Sequence, residues 1–129
     1  MYNLFLDDMR MPIGAFTYTK NSLYRDAEWV IVRDYKSFVS CIVKRGMPDL
    51  ISFDHDLADI HYKSDLDDYE ISRMDDYEKT GYDCAKWLVN YCMDNKFIPP
   101  PYLVHSGNPV GSANIKGVIE SYKKFLGIF

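Results

Sequence analysis

Two of the three histidines in this 129-residue chain stand directly behind short apolar runs. Asp54-His55-Asp56-Leu57 follows Leu50 to Phe53, and His105-Ser106-Gly107-Asn108-Pro109 follows Tyr102 to Val104. A third run, Leu4 to Leu6, passes into Asp7-Asp8-Met9-Arg10-Met11-Pro12, and a fourth, Trp29 to Val32, into Arg33-Asp34. Imidazole titrates near neutrality, so His55 and His105 read as an acid and base pair, one activating water or a hydroxyl and one protonating a leaving oxygen. The plainer reading of each ring is a packed, hydrogen-bonded side chain. Asp7, Asp8 and Asp54 offer hard oxygen ligands that suit Mg2+ or Mn2+ with several waters retained, and Asp56 could complete or replace one of them. Asp8 and Asp56 also fit as caps of local turns. Ser106 and Asn108, around Gly107, read as an anion-holding turn, and Arg10 as a grip on a phosphate oxygen. In the sharper reading Ser106 is a catalytic hydroxyl, and Arg10, Asn108 and Asp56 are substrate contacts; in the blander one, residues 107–109 are a plain turn. Arg33 reads as an interface or surface charge, and His61 lacks any such setting.

These residues need elements to bring them together. The four runs are too short for helices and continuous rather than alternating, the pattern of strands covered on both faces of a parallel sheet. Helical spacing lies after three of them. In 35–45, Phe38, Cys41, Ile42 and Arg45 share a face, with Gly46 and Pro48 as a stop. The segment 80–95 opens on the capping-box-like Thr80-Gly81-Tyr82-Asp83 and puts Ala85, Leu88, Val89 and Cys92 on one stripe. A third helix is expected over about 112–126, capped by Ser112, with Ile115, Val118, Ile119, Tyr122 and Leu126 inward. This order gives an α/β domain with a mostly parallel sheet. Residues 9–28 show no convincing period and read as a long loop with a short helical turn near 21–27. The acidic stretch 58–79 reads as a solvated loop or as a lid over the site.

Composition narrows the function classes. Fifteen Lys and Arg against nineteen Asp and Glu give a net charge of −4, which excludes a basic field for duplex DNA. No apolar stretch approaches the roughly 20 residues of a membrane span. The N-terminus reaches two acids before a signal-peptide core could form, so a cytoplasmic protein is expected. Cys41, Cys84 and Cys92 lack CxxC spacing and read as reduced, buried thiols. The 11 tyrosines fit either a core of large side chains or a stacking surface for bases. The whole of 1–129 is read as one domain, a stand-alone phage or bacterial protein by its size, acting in the host cytoplasm if phage-encoded.

Taken together, Leu6-Asp7-Asp8-Met9-Arg10-Met11-Pro12, Phe53-Asp54-His55-Asp56-Leu57, Thr80-Gly81-Tyr82-Asp83 and His105-Ser106-Gly107-Asn108-Pro109 resemble the cyclic-phosphate processing receiver-like domain family. The layout also resembles response-regulator receivers, in which an acidic pair after the first strand and an Asp after the third form a Mg2+ phosphoacceptor site; Asp7-Asp8 and Asp54 match those places, and Ser106 the hydroxyl residue after the fourth strand. The resemblance implies a receiver-like (flavodoxin-like) three-layer α/β sandwich, its four-stranded parallel sheet in the order 2-1-3-4, lacking the fifth strand. No Lys matches the one that ends that fifth strand, which disfavours a phosphoacceptor switch at Asp54. The implied activity is that of a metal-assisted phosphoesterase on an RNA 2′,3′-cyclic phosphate end or a cyclic nucleotide. The alternative is a non-catalytic module that binds a nucleotide or a partner protein.

Overall fold

The computed structural model describes residues 2–57 and 79–127. Four strands, β1 (Asn3–Leu6), β2 (Val30–Val32), β3 (Leu50–Phe53) and β4 (Tyr102–Val104), form one sheet in the order β2-β1-β3-β4. Every pairing is parallel, with Leu4 opposite Val30 and Ile51, and Ile51 opposite Tyr102. This is the receiver-like α/β sheet and strand order that the resemblance implies.

Side chains alternate across the sheet, and the alternation divides the core. Leu4, Leu6, Ile51 and Phe53 pack with three helices, α3 (Tyr35–Arg45), α4 (Gly81–Asn95) and α5 (Pro109–Phe125). Phe5 points the other way, into a smaller cluster with Ala15 and Tyr24 from α1 (Pro12–Thr19) and α2 (Leu23–Asp26). The leftward step from β1 to β2 thus crosses one face, and the two rightward steps cross the other, as right-handed crossovers require.

Helix α1 replaces the first part of the long loop expected over 9–28, while α2 is the short helical turn expected near 21–27. In α1 only Pro12 and Ala15 are buried, so almost no apolar period marks it, and Pro12 at the first helical turn costs no hydrogen bond. The helix expected to start at Ser112 begins at Pro109 instead, because Asn108 accepts from the Gly111 N–H and is the cap. Its expected inner residue Leu126 is exposed, as is Arg45 on α3. The capping box at Thr80 and Asp83 forms as expected, and Ala85, Leu88, Val89 and Cys92 are all buried. Cys84 and Cys92 are buried thiols and Cys41 is half-buried. Burial pushes the Cys92 thiol up to about 11, so it is unreactive near neutrality. Among the described residues no helix is long and apolar enough to cross a membrane. The acidic stretch 58–79, apart from its last residue, and His61 lie outside the described residues.

Candidate active site

The residues that follow β1, β3 and β4 are still held by the sheet. Asp7 N–H donates to Val32 O, Asp54 N–H to Leu6 O and His105 N–H to Phe53 O, at 2.9 to 3.1 Å. Three candidate side chains are therefore fixed at one level of the carboxyl rim. Ligand atoms of Asp7, Asp54 and His105 lie within 4.8 Å of one another. Asp8 is outside that trio, though close enough to feel it.

Electrostatics at the rim are strained by like charge. Burial raises the Asp54 pKa, and the neighbouring Asp7 raises it further. Asp8 is pushed up to about 6, first by burial and then by Asp7 and Asp54. Asp7 goes the other way: burial opposes its charge, but a hydrogen bond from His105 and the backbone N–H groups of Arg10 and Met9 hold it low. Among the described residues no Lys or Arg forms an ion pair with any of the three, and Arg10 acts on them only at longer range. Two buried carboxylates and a third alongside, none ion-paired to a Lys or Arg among the described residues, fit a divalent ion by donor chemistry.

His105 does not face the crevice. Its ring is fully buried, stacked on Phe5 with centroids 4.4 Å apart and edge-on to Tyr24. Nε2 lies 3.0 Å from Asp7 Oδ2, and Nδ1 lies 2.6 Å from Ser52 Oγ, which lies 2.6 Å from the Tyr24 hydroxyl. The expected acid and base pair of two solvent-facing imidazoles does not form, because both nitrogens of His105 are engaged inside the core. Among the described residues no buried side-chain polar atom is left without a partner. An unpaired hydrogen there would cost about 1–3 kcal/mol.

His55 is the accessible imidazole. Its side chain keeps 16% of its surface, and Nδ1 lies 2.9 Å from Asp56 Oδ1. Asn108 Nδ2 sits 3.4 Å from both atoms. The carboxylate can only accept, which makes Nδ1–H the donor to Asp56, so the Asn108 amide hydrogen goes to the carboxylate and, in the neutral ring, Nε2 carries the lone pair. The ring packs on Gly111 so closely that a Cβ there would stand 2.2 Å from His55 Cγ. Glycine is equally required at Gly81, whose Cβ would stand 1.8 Å from the Asp54 carbonyl oxygen.

The remaining expected residues have local duties. Asp56 orients His55. Asn108 caps α5, and Ser106 Oγ accepts from the Asn108 N–H, closing the turn. Arg10 Nη1 donates to the Tyr18 hydroxyl, which donates to the His105 carbonyl oxygen. Arg33, read as an interface or surface charge, is exposed, and its guanidinium also clamps the β1–α1 loop through Asp7 O and Arg10 O, at 3.2 and 2.8 Å. Tyr24 and Ser52 went unrecognised in the sequence. The one available signal was Ser52, a lone polar residue within an otherwise apolar strand, since a buried hydroxyl must find a partner.

The model of one protein family, described as the cyclic-phosphate processing receiver domain, matches residues 2–121. No curated protein and no solved structure matches.

Proposed function

The chain belongs to the cyclic-phosphate processing receiver domain family, and from that membership and the rim geometry we propose that it opens a cyclic phosphodiester with help from a divalent ion. The observation that carries this reading is the convergence of Asp7 and Asp54 beside Asp8, with no Lys or Arg ion-paired to any of them among the described residues. Mg2+ or Mn2+ bound there would neutralise charge developing on phosphoryl oxygens and make bound water more acidic. Asp7 and Asp54 would hold it, with Asp8, whose pKa burial and then its two neighbours push up to about 6, alongside as a further carboxylate.

His55 handles the proton. With Nδ1–H given to Asp56, Nε2 is the atom that accepts a proton from the attacking water as its oxygen bonds to phosphorus, and Asp56 stabilises the imidazolium that results; the ring P–O bond breaks, and the leaving oxygen takes its proton from solvent water at the open rim. Arg10, steadied by Tyr18, has further N–H groups for a phosphoryl oxygen. His105 holds Asp7 in place and does not touch the substrate. The substrate class is an RNA 2′,3′-cyclic phosphate end or a cyclic nucleotide.

The burial of His105 favours a second reading, since it removes one of two expected proton carriers: a module that binds a nucleotide without turning it over. The two separate in one experiment. Nucleoside 2′,3′-cyclic phosphates, 3′,5′-cyclic nucleotides and an oligonucleotide with a cyclic end are offered with Mn2+, and binding and product are followed separately. Turnover should fall by about 10²- to 10⁴-fold in His55→Ala with binding kept. Asp54→Asn should lose metal and turnover together. Binding without product on every substrate establishes the module instead.

A further inference from the structure

The Tyr24, Ser52 and His105 side chains form a chain of hydrogen bonds on the α1/α2 face of the sheet, ending on Asp7 at the rim. Its direction follows from counting hydrogens. Tyr24 is buried, its hydroxyl has Ser52 Oγ as its sole partner among the described residues, and a phenol carries one hydrogen. Tyr24 must therefore donate to Ser52. Ser52 then spends its own hydrogen on His105 Nδ1, which makes Nδ1 an acceptor. The imidazole hydrogen resides on Nε2, where it meets Asp7 Oδ2 at 3.0 Å. Reversing the chain would leave the Tyr24 hydrogen buried without an acceptor.

We propose that Ser52 and Tyr24 are positioning residues for the acidic centre: their hydroxyls hold His105 as the Nε2–H tautomer, a hydrogen-bond donor to Asp7 and not a metal ligand. The inference rests on the metal-assisted reading only in what Asp7 is held for; the tautomer itself is a property of the protein alone. It has a consequence for metal choice. With His105 withdrawn from the trio, the ion meets carboxylate and water oxygens, a hard set that suits Mg2+ and Mn2+ over softer transition metals. Partners outside the coordination shell typically change metal affinity by about 10- to 100-fold.

Nitrogen-15 NMR of the histidines in metal-free protein tests the tautomer directly. The expected result is a protonated Nε2 and an acceptor Nδ1 for His105; a protonated Nδ1 with a bare Nε2 overturns the proposal. Pulsed EPR of the Mn2+-loaded protein should show no directly coordinated imidazole nitrogen, and such a signal, lost in His105→Gln, would also overturn it. The near-isosteric Ser52→Ala should shift the Nδ1 resonance to that of an unbonded acceptor and weaken Mn2+ binding by about 10-fold, with a smaller loss in Tyr24→Phe. Parental Mn2+ affinity in Ser52→Ala refutes the positioning role. Failure of the parent protein to bind any divalent ion refutes the function proposed above, while the tautomer remains decided by NMR.

Discussion

Replacing Gly111 by Ala separates site geometry from fold stability, because the two respond differently to one methyl group. The new Cβ would stand 2.2 Å from His55 Cγ, 2.5 Å from Cδ2 and 2.7 Å from Cβ. Going from 2.2 Å to the 3.4 Å of ordinary contact demands a displacement of about 1.2 Å, and misplacing a catalytic group by about 1 Å can cost 10²-fold in rate. The same movement breaks the 2.9 Å contact between His55 and Asp56. The ring is partly exposed and can swing outward, so the stability penalty should sit at the low end of the roughly 1–3 kcal/mol of overpacking. Ala in a helix regains about 0.5–1 kcal/mol over Gly. Turnover of a nucleoside 2′,3′-cyclic phosphate is expected to fall about 10²-fold, while urea unfolding changes by about 1 kcal/mol or less. Gly117 in the same helix has nothing within 4 Å of its added Cβ; Gly117→Ala should gain about 0.5–1 kcal/mol and keep parental activity. Parental turnover in Gly111→Ala would falsify the role given to His55.

Gly81→Ala meets backbone, which cannot swing aside, and should cost about 3 kcal/mol in urea unfolding; wild-type stability would show that α4 does not pack on Asp54 this closely. Arg33→Ala frees the loop carrying Asp8 and Arg10, so Mn2+ affinity by calorimetry should drop by about 10-fold with little change in Tm, and an unchanged affinity rules out the clamp. A carboxyl whose pKa is higher folded than unfolded, as in Asp8 at about 6, stabilises most in acid and loses that contribution as pH rises through its folded pKa. Metal-free protein should therefore melt higher at pH 5 than at pH 7, with Asp54 adding in the same direction, and Asp8→Asn should flatten the profile. The depressed Asp7 acts with opposite sign, but only as pH falls below the ordinary carboxylate range.

What the sequence could express was set by periodicity and by strand ends. The four runs and the helices over 35–45 and 80–95 were legible because burial on a fixed period leaves a fixed spacing. Helix α1 was not, since it buries only Pro12 and Ala15. The cap of α5 was placed four residues late because Asn108 and Pro109 spell a turn as readily as a helix start. Asp7, Asp54 and the two histidines were correctly placed at strand ends, but position along a strand does not reveal which face a side chain takes. That choice sent His105 inward against Phe5 while His55 stayed at the surface. Arg33, Ser52 and Tyr24 act through contacts 22 or more residues away, and no local pattern announces such partners.

The position of β1 inside the sheet has a consequence for how the protein comes into being during synthesis. Leu4 emerges well before the residues it pairs with, Val30 and Ile51, and Asp7 waits for a partner 98 residues further on. Contacts so distant in sequence are slow to form, because loop closure must be achieved before they reward it. Until His105 arrives, the slot between Phe5 and Tyr24 lacks the ring that fills it, and Asp7 lacks its donor. A nascent chain that stalls before β4 should thus carry an unfinished core, open to proteases and without partial activity. Pulse proteolysis of ribosome-bound chains extended by a C-terminal spacer of increasing length should find protection rising abruptly once α5 has cleared the exit tunnel.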